Sequence, residues 1–427
     1  MRNRASGLNI KNPIIATLMS LKGNQRACVW TEPLWGIPYN LYFPLAAVYM
    51  VALGLTPVQI GIVETAYFIS QTFWAMLAGV LTDKMGRRMA TFLIDLVAWS
   101  VPTLLWMGAQ GFWWFFIAGV FNGMWRVTEN SWGLLLTEGA PEDKLVHLYT
   151  LVSVAGLIAG FVSPLTVLFR QRYSLVTLMR FLYGLTFVMM TAKFVILYFM
   201  SHETEVGKRR KEASRGISVF SRLWDSRHVL KTMLQSRRIM LTVLIVTCFA
   251  VIKSINDKFW PLLLTDKLLI PDTTLPMLNT LRTLGMLVLY FTLGPRLDIR
   301  RFKKPVMLGM GLYAGISLML FFLPGGSGSL WLVSFGVAVE ALSLSMLNPL
   351  IPALNMQMME KEERARMLSL ATMFSLLIAS AFAPVSGMLS ELNRGLPMLL
   401  LCAAALTAVY LTHRLDKANP FAPEAAD

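Results

Sequence analysis

Histidine and cysteine are scarce in this chain of 427 residues, with four of the first and three of the second. Cys28, Cys248 and Cys402 are widely separated and show neither metal-ligand spacing nor a disulfide framework. Each reads as a small apolar helix residue. His147, His202, His228 and His413 are scattered too, so no metal site or nucleophile cluster is expected and a membrane-embedded enzyme is disfavoured. No GxxxxGKS or GxxxxGKT loop occurs, and no polar stretch is long enough to form a nucleotide-hydrolysing domain. The basic N-terminus runs into its first apolar block without a small-residue cleavage site, which argues against a cleaved signal peptide.

What the chain has in abundance is apolar length. Hydrophobic residues make up 56% and charged residues 15%, with mean hydropathy +0.58. The apolar residues fall in blocks of about 20 to 25, each able to cross about 30 Å of hydrocarbon as a helix. The expected fold is an all-α polytopic membrane protein with twelve transmembrane helices in two related six-helix bundles. The net charge of +15 could attract nucleic acid, but its distribution argues otherwise. Basic residues concentrate in alternate connections and at the termini, the positive-inside pattern. Both termini are therefore expected on the cytoplasmic side of a membrane, a bacterial cytoplasmic membrane being the expected location. Arg170 and Arg172 form the clearest local exception.

The expected spans are 30–53, 57–81, 89–107, 112–136, 148–169, 178–200, 239–264, 275–293, 305–323, 330–350, 367–389 and 396–412. They imply a cytoplasmic segment 1–28, a bundle 29–200, a basic linker 201–238, a second bundle 239–412 and a cytoplasmic tail 413–427. The linker holds ten Lys and Arg against four acids, and residues 217–234 read as an interfacial helix.

Two internal matches support a duplication. GVLTDKMGRR after the second span pairs with GPRLDIRRFKK after the eighth, with Gly79 and Asp83 matching Gly294 and Asp298. Around the fifth and eleventh spans, Asp143 pairs with Glu363, Lys144 with Arg364 and Pro164 with Pro384, all at one offset of 220 residues.

The span count and the loop GVLTDKMGRR resemble the major facilitator superfamily of secondary transporters, over essentially the whole chain. Gly79, Leu81, Asp83, Gly86, Arg87 and Arg88 match that family's GxLxDxxGRR signature. The second copy is degenerate and retains Gly294, Asp298, Arg300, Arg301, Lys303 and Lys304. The resemblance implies a conformational latch at the cytoplasmic helix ends, built from Gly79, Asp83, Gly86, Arg87, Arg88 and Asp298, with Asp95 a possible extension. On physical grounds Gly79 lets neighbouring backbones approach and Gly86 permits a tight reversal. Asp83 is placed to bind helix-terminal donors or a basic side chain. In the fifth span GLIAGFVSP keeps Gly156, Gly160 and Pro164, but lacks the remaining glycines of the drug/proton antiporter signature, which weakens that assignment.

Charged groups in hydrocarbon are costly unless paired, neutralised or wet, so those within the spans are expected to face a central cavity. The fourth span places Asn122, Arg126, Glu129 and Asn130 at spacings of three and four, with Arg126 and Glu129 close enough to pair. There burial and an adjacent cation oppose each other on the carboxyl group, as a switchable proton site requires. The seventh span carries Lys253, Asn256 and Asp257, with a Lys253–Asp257 pair expected and Lys258 nearer the external end. Glu340 in the tenth span has no basic neighbour on its own helix, so it is expected to be protonated or bonded across helices, and it is the favoured proton-coupling residue. Glu64 and Gln71 share a face of the second span, while Tyr39 and Asn40 in the first could bond a polar ligand beside Trp35. Glu32 reads as interfacial and Arg282 as snorkelling outward. Pro38, Pro44, Pro164, Pro349, Pro352 and Pro384 are expected to interrupt or bend spans.

These features favour a secondary active transporter of a small polar or amphipathic solute, working by alternating access with protons as the coupling ion. No cofactor, metal or nucleic-acid partner is expected. The partners are the solute and the lipid bilayer, and the protein is expected to act as a monomer. A multidrug or lipophilic-cation antiporter and a non-transporting membrane sensor are the alternatives.

Overall fold

A computed structural model describes residues 18–139, 148, 151–152, 155–214, 227–293, 296–297, 301–326, 329–359 and 364–417. Among them every regular element is a helix. The chain opens with α1 (Gly23–Thr31), α2 (Pro33–Tyr42), a 3-10 turn (Phe43–Leu45) and α3 (Ala46–Ala52). Pro33 starts α2 and Pro44 sits in the 3-10 turn, so the first expected span is a string of short helices. The next helix, α4 (Pro57–Met85), begins at Thr56, whose hydroxyl accepts from the Gln59 amide while the Gln59 side chain accepts from the Thr56 amide.

After Gly86 come α5 (Arg87–Asp95), a π-helical turn (Leu96–Ser100) and α6 (Val101–Met107). Pro102 lacks an amide proton and would crowd the carbonyl one turn back; the wider turn, closed by the Val101 amide on the Leu96 carbonyl, relieves that crowding. The fourth expected span divides at Gly123 and Met124 into α7 (Phe112–Asn122) and α8 (Trp125–Thr137). α9 (Leu165–Arg170) and α10 (Leu175–Met200) complete the first half.

Two polar helices follow, α11 (Glu205–Ala213) and α12 (Arg227–Gln235). Residues 215–226 of the linker, including most of its expected interfacial helix, lie outside the described residues. Met233 of α12 is buried against Ile239, Met359 and Met367, so at this point α12 packs on protein. The second half contains α13 (Arg237–Leu262) with a π-helical continuation (Leu263–Lys267), α14 (Thr274–Thr292), α15 (Lys303–Phe322), α16 (Leu330–Met358), α17 (Arg364–Leu392) and α18 (Leu396–Lys417).

Seven helices among the described residues are long and apolar enough to cross a membrane: Arg87–Met107, Leu175–Met200, Arg237–Lys267, Lys303–Phe322, Leu330–Met358, Met367–Leu392 and Leu396–Leu415. The other five expected spans fall short for visible reasons. The first and fourth are broken, the second carries Gln59, Glu64 and Gln71, the fifth lies partly outside the described residues, and α14 carries Asn279 and Arg282. The protein is thus an all-α, polytopic membrane protein, and its charged centre draws on long apolar helices (α13, α16) as well as on the more polar α4, α8 and α14.

The two halves meet along α4 and α17. A side chain at Gly61 would collide with the Ala383 carbonyl at 2.5 Å, so glycine there is what lets these backbones touch. The Thr65 hydroxyl bridges the same seam to the Ser380 carbonyl at 2.9 Å. Further links are Arg170 to Asp272 at 2.9 Å and the Thr280 hydroxyl to the Gly160 carbonyl at 3.4 Å. All lie in the end of the molecule remote from the termini. Among the described residues no hydrogen bond or ion pair joins the halves at the end that carries them. The matched prolines behave differently: Pro164 stands in a turn at the start of α9, whereas Pro384 lies inside the continuous α17.

Candidate functional site

Charged side chains from both halves converge below that seam. In the second half Glu340 is 4% exposed and fully engaged. One of its oxygens accepts from Asn256 and from the Tyr313 hydroxyl, each at 2.9 Å. The other accepts from Arg282 Nη2 at 2.9 Å and Nε at 3.1 Å. Every donor points at the carboxyl oxygens, the arrangement of an acceptor-only carboxylate. The Arg282 guanidinium also lies 5.0 Å from the centre of the Trp260 ring. Bonding across helices, one of the two states expected for Glu340, is the one found. The outward-snorkelling expectation for Arg282 is wrong, because a buried anion two helices away holds it inside. An enclosed space of about 10 Å³, lined by Asn256, Tyr313, Ser317 and Glu340 among others, adjoins this cluster. That is about the room one water needs.

Lys253 and Asp257 do not form the expected close pair. Asp257 lies in the field of Lys253, Lys258 and Arg282. Lys258 instead crosses to the first half and pairs with Glu64 at 3.2 Å. Lys253 is exposed, lies 6.0 Å from the Phe249 ring, and makes no ion pair among the described residues.

In the first half Arg126 pairs with Glu129 at 2.7 Å, donates to the Gln71 side chain at 2.8 Å and lies 4.2 Å from the Trp125 ring. The Glu129 side chain is 52% exposed. The Trp125 ring nitrogen donates to the Tyr67 hydroxyl at 3.0 Å, which fixes the ring beneath the guanidinium. Asn122 and Asn130 leave the expected common face. The break at Gly123 turns Asn122 to the Ala98 carbonyl at 2.8 Å, and Asn130 donates to Thr82 at 3.1 Å. Tyr39 is stacked between Trp35 and Phe43, with ring centres 4.8 and 4.9 Å away. Asn40 donates to the Gly36 carbonyl of its own helix at 2.8 Å.

The loop between α4 and α5 forms a second constellation. Arg87 is buried, bonds Asp83 at 3.0 Å and pairs with Glu138 at 3.2 Å. Asp83 lies in the last turn of α4 and not beyond it, and the exposed α5 amides of Arg87 and Arg88 are bound by Glu203, at 3.0 and 3.2 Å. Gly86 has φ +87° and its missing side chain is replaced by the Glu203 carboxylate, so a Cβ would collide there. Arg88 donates to the Tyr198 carbonyl at 2.8 Å, and Glu138 accepts a short hydrogen bond from Thr204. Gly79 faces open space, which corrects its expected close-packing role. Asp298 lies outside the described residues. Asp95 does not join this loop; it is buried between helices and faces Lys193 and Thr128. Glu32 is likewise internal, paired with Lys193 at 2.9 Å. Sequence reasoning passed over Glu138, Lys193 and Glu203. Lys193 alone carried a signal, as a lone lysine within an apolar span.

The sequence model of the Major Facilitator Superfamily matches residues 35–256 and 252–426. A mutant of the nucleoside transporter NupG is similar in structure, with TM-score 0.71 and 12% identity, covering 92% of this chain and 100% of that one. The peptide transporter POT in complex with sulfate matches at TM-score 0.68 and 13% identity, covering 93% and 94%. The human organic anion transporter MFSD10 matches at 0.65 and 12%, covering 94% and 100%.

Proposed function

Because the chain belongs to the Major Facilitator Superfamily, we propose that it is a proton-coupled secondary transporter whose twelve spans form two six-helix bundles around the charged centre. The bundles are residues 29–200 and 239–412, joined by the linker 201–238, with segment 1–28 and tail 413–427 on the cytoplasmic side of the membrane. The links between the halves among the described residues lie at the end remote from the termini, which supports an inward-facing state. Glu64–Lys258 and Arg170–Asp272 are then ion pairs that open when the halves rock apart on the other side.

The observation that carries the reading is the charge balance of the centre. Arg126, Lys253, Lys258 and Arg282 stand against Glu64, Glu129, Asp257 and Glu340, and only Glu129 and Lys253 are exposed. An exposed acid on one half and an exposed base on the other suit a small polar solute bearing both charges. Tyr39 and Trp35 supply an aromatic wall, and Gln71 and Asn256 orient the charged groups beside them. A lipophilic cation is less well matched, since Lys253 repels it. Glu340 anchors Arg282 and Asn256, and Glu129 takes the role of the exchangeable acid at the solute.

Reconstitution into proteoliposomes tests this, with flux and internal pH recorded together for zwitterionic peptides, nucleosides, organic anions and lipophilic cations. The expected result is proton-driven movement of a zwitterion, lost in Glu129→Gln. Equal rates and endpoints with and without the proton gradient would refute proton coupling. Absence of counterflow for every bound ligand would favour a sensor on the same fold.

A further inference from the structure

A second group of charges lies inside the first half, beside the Trp35 ring, and among the described residues it makes no ion pair with the charges of the central site. Glu32 stands between α1 and α2, Asp95 ends α5, and Lys193 lies in α10. Lys193 is 5% exposed and Asp95 6%. The Lys193 ammonium donates to Glu32 at 2.9 Å and lies 5.9 and 5.7 Å from the rings of Trp35 and Trp132. Asp95 is within electrostatic reach of both Lys193 and Glu32, on the face of α5 whose Phe92 ring lies 4.6 Å from Tyr198 of α10. The packing around them agrees: Phe92, Trp99, Met190, Phe194 and Trp35 form one apolar cluster, and each charged residue is one to four positions from a member of it. The further titratable group facing the pair is the Cys28 thiol of α1.

The count of charges decides what this group does. Two carboxyl groups stand against one ammonium, which touches Glu32, so with all three ionised the buried Asp95 would be an uncompensated negative charge. Such a charge costs several kcal/mol, and a buried group avoids that cost by neutralising. We infer that Glu32, Asp95 and Lys193 form a proton-binding site of the first half, in which one proton neutralises one of the two carboxyl groups.

Its position suits it to report on the latch. Asp95 is eight residues beyond Arg87, about 12 Å along the helix. Lys193 lies on α10, whose following residues carry the Glu203 that binds the start of α5. The π-helical turn begins immediately after Asp95, and such turns can shift register when a neighbouring contact changes. Loss of the proton would draw Asp95 toward Lys193 and strain α5 between that contact and Gly86. The link to coupling rests on the transport reading above; the proton site itself does not.

Infrared difference spectra of the full-length protein in lipid vesicles, recorded across a pH titration without any solute, test the site. The parent is expected to show the carbonyl stretch of one buried protonated carboxyl group. Asp95→Asn and Glu32→Gln should each abolish it, because either change leaves one carboxylate matched to one ammonium. Asp95→Glu should restore it, and Glu340→Gln should leave it in place. If the carboxyl variants fail to fold, Lys193→Met decides, since loss of the ammonium should enlarge the band. A band that survives in Asp95→Asn, or fails to grow in Lys193→Met, overturns the inference. Should the bands behave as expected while no solute on the panel moves, the site stands and the transport reading falls.

Discussion

Glu340 and Glu129 are carboxyl groups on opposite halves, both near an arginine, and the protein holds them in opposite ways. Glu340 is sealed and receives hydrogen bonds from Arg282, Asn256 and Tyr313. Glu129 is half-exposed and receives one, from Arg126. The difference teaches that a charge inside a membrane protein is not by itself a sign of exchange chemistry. A fully satisfied carboxylate is a brace, and an acid with spare acceptor capacity and access to water can take a proton or a ligand.

The largest expected effect breaks that brace. Arg282→Met leaves a buried anion without its cation and should destabilise the protein by about 3 to 5 kcal/mol. Arg126→Met, whose ionic partner is half-exposed, loses that weak pair and the donor to the buried Gln71, and should cost about 1 to 2 kcal/mol. Thermal unfolding in detergent measures both, and equal losses would erase the distinction between the halves.

The two glycines of the loop before α5 give the next contrast. Gly86→Ala forces a side chain into a left-handed conformation and against Glu203, so a loss of about 1 to 3 kcal/mol is expected. Gly79→Ala meets open space and should stay within about 0.5 kcal/mol of the parent. A Gly79→Ala protein as damaged as Gly86→Ala would mean that Gly79 packs closely in a conformation other than this one.

Much of this was legible from the sequence, and the failures have physical causes. Apolar block length and charge distribution reveal a polytopic helical protein, because both follow from the bilayer itself. The Arg126–Glu129 pair was readable because its partners are three apart on one helix. Lys253–Asp257 had the right spacing too, yet Lys258 turns to Glu64 and Asp257 lies among three cations, which spacing along one helix cannot foresee. Glu340–Arg282 and Lys193–Glu32 were hidden for the same reason, being contacts between residues 58 and 161 positions apart. The broken helix at Gly123 displaced Asn122 from a face that an ideal helix would have given it.

A smaller effect concerns the seam between the halves. Lys258→Met removes one of its ion pairs while the α4–α17 packing remains, so the inward-facing population should fall by a few-fold, about 1 kcal/mol. Distances between spin labels on the two halves, at the end carrying the termini, report that shift. An unchanged distribution would make Glu64–Lys258 a static contact and leave closure to the apolar seam.

The smallest effect on stability should come from Glu129→Gln, and that is what makes it informative. Glutamine keeps the length and the acceptor oxygen, and Arg126 retains Gln71 and the Trp125 ring, so unfolding should move by no more than about 0.5 kcal/mol. What changes is that the position can no longer gain or lose a proton. If Glu129 is the exchangeable acid, the dependence of solute flux on pH should flatten while counterflow at symmetrical pH persists, because exchange needs the solute site but no net proton movement. Glu340→Gln should do the reverse, lowering stability and flux together while the shape of the pH profile survives. A flattened profile in Glu340→Gln with an unaltered one in Glu129→Gln would invert the roles assigned to the two halves.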